Sequence, residues 1–184
     1  MSDDFDPTQL DPDEREEIVA QIPVVSAAWR FIIPALRDDD LAAAWPAVDP
    51  CLRLCWAQAW LGLNRADAEA EGYDLGEVAD ALAEEAPTHP LWRQFSRVLL
   101  RDLHGVADLD PDAWGIGANA RVLGVDIELL YLQDKTGLEG DMWRAGVERL
   151  VLPIVMRLHD DQWRVLNYGS ETIPTPGWPP TLFD

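Results

Sequence analysis

Hydrophobic residues recur at helical spacing through roughly the first three-fifths of the chain and follow a strand-like pattern afterwards. The longest helical stripe takes steps of four and three residues: Ile18, Ile22, Val25, Trp29, Ile32 and Leu36. An N-cap residue followed by proline marks helix starts at Asp11-Pro12 and Asp49-Pro50. Further stripes predict helices from Leu75 and after Thr88, with a polar loop over residues 64–74 before them.

After Asp110-Pro111 the pattern favours strands. Residues 121–132 and 149–159 are rich in Val, Leu and Ile, and Asp160-Asp161 is the turn before a returning strand over 163–168. Pro153 indicates a bulge or an edge position in the second of these strands. Helices followed by antiparallel strands predict an α+β fold, in which N-terminal helices pack against a curved antiparallel sheet.

Length and composition indicate one folded domain with two short extensions. Residues 1–10 form an acidic lead, residues 11–170 form the α+β domain, and the proline-rich residues 171–184 are expected to wrap over its surface. Because 48% of the residues are hydrophobic, the chain is not a disordered acidic tail.

The chain is strongly acidic, with 34 Asp and Glu against 14 Lys and Arg and a net charge of −20. This charge repels phosphate groups, so nucleic acids and anionic membranes are not expected partners, whereas a basic protein partner is an open possibility. No apolar run approaches the length of a membrane span, and the acidic N-terminus differs from the basic start of a signal peptide. We therefore expect a cytoplasmic protein.

Neither a metal nor a cofactor is indicated. Cys51 and Cys55 share one helix face, where a disulfide would be strained, so they predict buried thiols. No histidine lies at metal-ligand spacing from another ligand. The glycines of residues 115–117 lack the third glycine and the following helix of a nucleotide-binding loop.

Residues 36–45 (LRDDDLAAAW) indicate a first helix, a break and a short second helix, and continue into Leu52-Arg53. Residues 159–165 (HDDQWRV) form the final hairpin with a Trp-Arg-Val strand. In this order of elements, roughly residues 12–170 resemble the NTF2-like superfamily, the SnoaL-like or cystatin-type α+β cones. The resemblance implies a sheet curled around helices to form a cone with an apolar pocket, often in a homodimer. Its members include isomerases, dehydratases, cyclases and non-catalytic binding domains, so the fold leaves the function open.

Enzymes of this superfamily are expected to direct an acid or base into the cone. The candidates on the predicted strands are Asp126, Tyr131 and His159. Tyr131 belongs to the face that is expected to meet the helices, whereas His159 adjoins a turn and is more typical of a surface residue.

Strict alternation over residues 125–129 divides the side chains between two faces of a strand. The apolar set is expected to face the helices. Asp126 and Glu128 then point outward, where Arg157 or Arg164 of neighbouring strands could pair with them.

Nine tryptophans are unusual for a chain of this length, and each needs a packed ring and a partner for its indole N–H. Most are expected to fill the core. A subset of aromatic residues should converge on the cone and line a pocket for a small apolar ligand: Trp29, Trp56, Trp60, Trp92, Phe95 and Tyr131.

Three functions from different classes remain open. The leading hypothesis is a non-catalytic, homodimeric NTF2-like domain that binds a small apolar ligand or a protein partner. The first alternative is a small-molecule isomerase, dehydratase or cyclase with a pocket acid or base. The second is an acidic inhibitor or immunity-type protein, motivated by the charge.

Overall fold

The computed structural model describes residues 11–106, 113–116, 121–139, 142–143, 145–146 and 151–183. The described part contains six α-helices: α1 (Pro12–Ile32), α2 (Leu41–Ala44), α3 (Pro50–Leu63), α4 (Arg65–Ala70), α5 (Leu75–Ala83) and α6 (Trp92–Val106). The strands follow: β1 (Trp114–Ile116), β2 (Arg121–Val122), β3 (Ile127–Asp134), β4 (Leu138–Glu139), β5 (Met142–Trp143), β6 (Val151–His159) and β7 (Gln162–Tyr168).

The main sheet has the order β1-β3-β6-β7, with β2 also paired to β3, and all its strand pairs are antiparallel. It curls strongly into a half-barrel, against which the helices pack. The predicted α+β fold, with N-terminal helices on a curved antiparallel sheet, is therefore confirmed. The β4–β5 pair forms a separate two-stranded sheet.

Helix α1 begins at Pro12 as predicted, and its predicted stripe is confirmed in part, since Ile32 and Leu36 are buried. Ile22 is 54% exposed, whereas Val24, Ala28 and Phe31 are buried. The stripe of bulky residues left out part of this face because alanines line it, and small side chains allow the helix to approach its neighbours closely.

The two prolines near α1 have different effects. The helix continues through Pro23, whereas Pro34 lies in a π-helical turn, Ile33–Arg37, that ends this unit. Val19–Arg37 has the length and composition of a membrane-crossing helix, and 39% of it is buried within the fold. A core helix of a folded domain meets the same criterion, and Phe31 within this stretch is fully buried.

The predicted cap at Asp49 is confirmed, because its side chain accepts a hydrogen bond from the Cys51 N–H at the start of α3. The predicted loop, however, does not extend over its whole length, and its last residue, Asp74, caps α5 by accepting from Gly76 and Glu77. Residues 65–70 of the predicted loop instead form helix α4, whose Ala68 is buried in the core. One buried alanine produces too weak a pattern to indicate a helix.

The prediction of which face of β3 meets the helices is wrong: the set that includes Leu129, expected on the helix side, lies on the opposite face of the sheet. Leu130 and Leu132 belong to the main core with the helices, whereas Leu129 packs with Val155 and Leu166 in a second cluster on the other face. Because both faces of the sheet are covered, alternation over five residues could not decide which face meets the helices. The predicted partners of Asp126 and Glu128 bind other carboxylates in the described part of the chain: Arg157 pairs with Asp49, and Arg164 Nη1 lies 3.4 Å from Glu85.

Pro153 does not lie on an edge strand, because β6 is flanked by β3 and β7. The register shift lies further along, between Val155 and Met156. Strand β7 ends opposite Ile154, so Pro153 sits where the ladder on that side stops. The missing N–H is tolerated there.

The C-terminal segment, residues 171–183, lies along α3 and the second face of the sheet. Asn167 Nδ2 donates to the carbonyl oxygens of Thr172 and Leu182 at 2.7 and 3.0 Å. The Gly177 N–H donates to Gln58 Oε1 of α3 at 2.8 Å. These bonds hold both ends of the segment against the domain.

Candidate functional site

Aromatic side chains from α3, α6 and the turn after α2 meet in one cluster. Trp45 is fully buried, stacks on Trp56 with ring centroids 6.0 Å apart, and contacts Trp92 and Phe95 edge-on at 5.1 and 5.7 Å. Its Nε1 donates to the carbonyl oxygen of Glu84 at 2.9 Å, which satisfies the indole N–H. The tryptophan-rich composition thus builds a packed aromatic cluster in the core.

A cleft of about 470 Å³ opens beside this cluster, between α3 and α6. Its volume lies within the usual range for small-molecule sites. The walls are mostly apolar and include Trp56, Ala59 and Trp60 from α3, Phe95, Val98 and Leu99 from α6, and Leu182 and Phe183 from the C-terminal segment. The bond from Asn167 to Leu182 holds the C-terminal wall in place.

Tyr168, at the end of β7, is the distinctive polar residue of the cleft. Its side chain lines the cleft and is 3% exposed, and its hydroxyl has no hydrogen-bond partner in the described part of the chain. Burial raises the pKa of the Tyr168 phenol, so the hydroxyl stays protonated at neutral pH. The wall of the cleft therefore includes a tyrosine whose hydroxyl is buried and has no hydrogen-bond partner in the described part of the chain.

The other polar groups of the lining differ from Tyr168. Arg101 and Asp102 are exposed and pair with each other, Nη2 to Oδ1, at 2.8 Å. Asn64 Nδ2 donates to the Trp60 carbonyl oxygen at 2.8 Å. These groups already have hydrogen-bond partners or contact solvent, so a hydrogen bond to a ligand gains less free energy from them than from the Tyr168 hydroxyl.

The structure brings half of the predicted ligand-binding residues together. Trp56, Trp60 and Phe95 line the cleft. Trp92 packs against Trp45 and Phe95 in the cluster, and Trp29 lines a second cleft.

Tyr131 lies elsewhere, on the second face of the sheet. Its hydroxyl donates to Glu171 of the C-terminal segment at 2.9 Å, and this hydrogen bond raises the pKa of the Tyr131 phenol. The predicted convergence of Tyr131 with the tryptophans is not observed, because it rested on the wrong assignment of the faces of β3.

The candidate acid or base residues lie outside both clefts. Asp126 is exposed in the turn before β3, and His159 is a half-exposed residue whose Nε2 lies 3.4 Å from Asp160. With Tyr131 bonded to Glu171, none of these three side chains lines the apolar cleft. Their positions lend no support to a catalytic role there.

The sequence analysis missed Tyr168 and the apolar wall from α6. The stripe of α6, including Val98 and Leu99, was recognised as a core face, but part of it borders a cleft. Tyr168 is the last residue of the predicted strand over residues 163–168, and the sequence pattern does not single it out. No local signal distinguishes a residue that completes a core from one that lines a cavity, since both are apolar and recur at the same spacing.

The two cysteines of α3 differ in their burial and in the pKa values of their thiols. Cys51 is half-buried and its thiol lies 3.4 Å from the carbonyl oxygen of Pro174, whereas Cys55 is fully buried. A hydrogen bond from Cys55 lowers the pKa of the Cys51 thiol to about 7, against an ordinary value of 9.0. The same interaction, with burial, raises the pKa of Cys55.

We expect the alkylation of Cys51 by iodoacetamide to show a pH midpoint near 7, because the thiolate is the reacting form. The substitution Cys55→Ala removes the donor and should move this midpoint toward 9.0. Mass spectrometry across a pH series measures the rate at each site. In Cys51→Ser the buried Cys55 should stay unlabelled, and equal midpoints in the wild type and Cys55→Ala would contradict the expectation.

In the described part of the chain, no group of three or more His, Cys, Asp or Glu side chains could hold a metal ion. The class that the fold and site define is an α+β domain with an apolar cleft beside its aromatic core. No protein-family model, curated protein or solved structure matches this chain.

Proposed function

We propose that this protein is a non-catalytic, NTF2-like domain that binds a small apolar ligand in the cleft between α3 and α6. The observation that carries the proposal is the combination of apolar walls with one buried, unpartnered hydroxyl. Ligand sites characteristically combine a mostly apolar lining with a few polar groups that orient the ligand. The curled antiparallel sheet behind the helices is consistent with the cone of that superfamily.

The hydroxyl of Tyr168 indicates which functional group the proposed ligand carries. A buried hydroxyl without a partner costs free energy, and a ligand that supplies an acceptor recovers it. We therefore expect a ligand that is largely apolar and carries a carbonyl or ether oxygen within reach of Tyr168.

The neutral fluorophore N-phenyl-1-naphthylamine tests the cleft, because it avoids repulsion by the negative charge of the protein. We expect saturable binding, with energy transfer from tryptophan. The substitution Ala59→Phe fills the cleft from α3 and should weaken binding by about tenfold or more, since the probe and the added ring compete for the same volume. Ala66→Phe, on the exposed surface of α4, is the matched control. Equal binding by both variants, or no saturable binding by the wild type, would overturn the proposal.

Tyr168→Phe separates the hydrogen bond from the apolar contacts. For Prodan, a neutral naphthalene probe with a ketone, we expect about fivefold weaker binding, which corresponds to one hydrogen bond. The affinity for N-phenyl-1-naphthylamine, which lacks a carbonyl group, should change little. The free protein should keep its stability, because no hydrogen bond within the described part of the chain is lost.

The three residues predicted as acid or base for the isomerase, dehydratase or cyclase alternative, Asp126, Tyr131 and His159, do not line the cleft. The acidic inhibitor alternative and a basic partner stay predictions from the charge, as do the homodimer and the cytoplasmic location.

A further inference from the structure

The C-terminal segment, residues 171–183, is attached to the domain by side chains rather than by a ladder of backbone hydrogen bonds. Its backbone pairs with itself, between Thr175 and Thr181. In the described part of the chain, the hydrogen bonds from the segment to the helices and the main sheet involve the side chains of Cys51, Gln58, Tyr131 and Asn167. Each such bond contributes little net free energy, so the segment is held less firmly than a strand of the sheet.

Burial within the segment is also sparse. Among residues 171–183, Pro174 is buried, whereas Thr175, Pro176, Trp178 and Pro179 are exposed. Parts of a protein with few buried contacts and solvent-exposed hydrogen bonds open locally without unfolding the rest. Opening of this segment therefore costs less free energy than global unfolding.

The walls of the apolar cleft differ in how firmly they are held. The walls from α3 and α6 are fixed by the aromatic cluster, because Trp56 and Phe95 both contact the fully buried Trp45. The wall from the C-terminal segment consists of Leu182 and Phe183 and lies outside that cluster. The C-terminal wall is therefore the one that can move while the core stays packed.

Asn167 of β7 connects the segment to the cleft. It is 1% exposed, and its Nδ2 donates to the carbonyl oxygens of Thr172 and Leu182, near the two ends of the segment. Its Oδ1 accepts from the Tyr168 N–H at 2.8 Å, which fixes the orientation of the amide. One buried amide thus ties both ends of the segment to the strand whose last residue, Tyr168, lines the cleft.

We propose that the C-terminal segment is a gate of the apolar cleft and that Asn167 is the positioning residue that keeps it closed. An apolar ligand enters when Leu182 and Phe183 move away, and their return encloses it. Phe183 is 60% exposed, so its ring offers apolar surface that a bound ligand covers. The ligand in this inference rests on the proposed function, whereas opening of the segment is measurable in the free protein.

Hydrogen–deuterium exchange of the full chain, followed by mass spectrometry, measures the opening. The Gly177 N–H is bonded to Gln58 of α3, so it reports whether the segment is closed. We expect the peptide that contains Gly177 to exchange faster than the peptides of α3. N-phenyl-1-naphthylamine at ten times its Kd should slow this exchange by about tenfold, because the probe binds the closed form.

Asn167→Asp tests the positioning role. The variant keeps an oxygen for the Tyr168 N–H but cannot donate to the carbonyl oxygens of Thr172 and Leu182. We expect exchange at Gly177 to rise by about fivefold or more, although Gly177 itself makes no bond to Asn167. Unchanged exchange at Gly177 in a folded Asn167→Asp variant would contradict the role of Asn167.

Gln58→Met tests the gate through a second anchor and keeps a side chain of similar length in α3. Gln58 does not line the apolar cleft, yet its loss should raise the association rate constant of N-phenyl-1-naphthylamine about fivefold in stopped-flow fluorescence, because opening precedes entry. Gln162→Met is the matched control, since Gln162 is exposed at the start of β7, and it should keep the wild-type rate.

Two results would overturn the gate while leaving the proposed function intact. The first is saturable binding of the probe with equal association rates in Gln58→Met and the wild type. The second is exchange at Gly177 that is as slow as in α3, since the segment would then open only on global unfolding. Absence of saturable binding by the wild type would instead overturn the proposed function, and the gate with it.

Discussion

Replacing Trp45 with alanine is expected to lower the free energy of unfolding by about 3 to 5 kcal/mol. Trp45 is fully buried, and its ring contacts Trp56, Trp92 and Phe95. The substitution removes these contacts, leaves a cavity among rigid rings, and deprives the Glu84 carbonyl oxygen of its donor. Urea denaturation followed by circular dichroism measures the loss.

Two further variants show which part of Trp45 matters. Trp45→Phe keeps an aromatic ring but loses the indole N–H, so it should be destabilised less than the alanine variant. Trp178→Ala is the control, because Trp178 is 41% exposed and its ring contacts the Arg65 guanidinium at 5.7 Å outside the cluster. A Trp45→Ala variant as stable as Trp178→Ala would show that the cluster is not essential to the core.

The substitution Asp49→Asn is expected to cost about 2 to 4 kcal/mol, because it leaves Arg157 without its counter-charge. Asp49 is fully buried, whereas the Arg157 side chain keeps 27% exposure, which places the cost toward the lower part of the range for buried pairs. Asparagine caps helices about as well as aspartate, so the start of α3 is preserved and the measured loss reports the ion pair. Chemical denaturation measures it.

The exposed pair of Arg37 and Asp38 offers a matched control. Asp38→Asn removes the same charge from a solvated pair and should leave the denaturation midpoint almost unchanged. Asp49→Ala removes the cap as well and should unfold more readily than Asp49→Asn. If Asp49→Asn and Asp38→Asn had equal midpoints, the buried pair would contribute no more than a surface pair.

Local chemistry made much of the fold predictable. The side chain of Asp49 caps α3 because a carboxylate accepts from an N–H group only two residues away. Asp160 and Asp161 adopt φ values of 49° and 59°, the left-handed backbone that a tight hairpin turn requires. These interactions involve residues only a few positions apart, so they can be predicted from the sequence alone.

The candidate site was predictable only in part. Trp56, Trp60 and Phe95 are predictable because large aromatic side chains on the apolar stripe of a helix need a large apolar surface to pack against. The mistaken position of Tyr131 shows the limit, since alternation separates two faces of a strand without saying what covers each one.

The sequence by itself determined an acidic α+β domain whose helices, caps and hairpin turn follow from contacts between near neighbours. Only the tertiary structure decided that Tyr168 meets α3 and α6 in a cleft and that Asp49 pairs with Arg157. The physical reason is chain separation. Asp49 and Arg157 are 108 residues apart, and their contact depends on how the sheet curls and on which face the C-terminal segment covers. The sequence pattern of a single helix or strand does not indicate how the sheet curls or which face is covered.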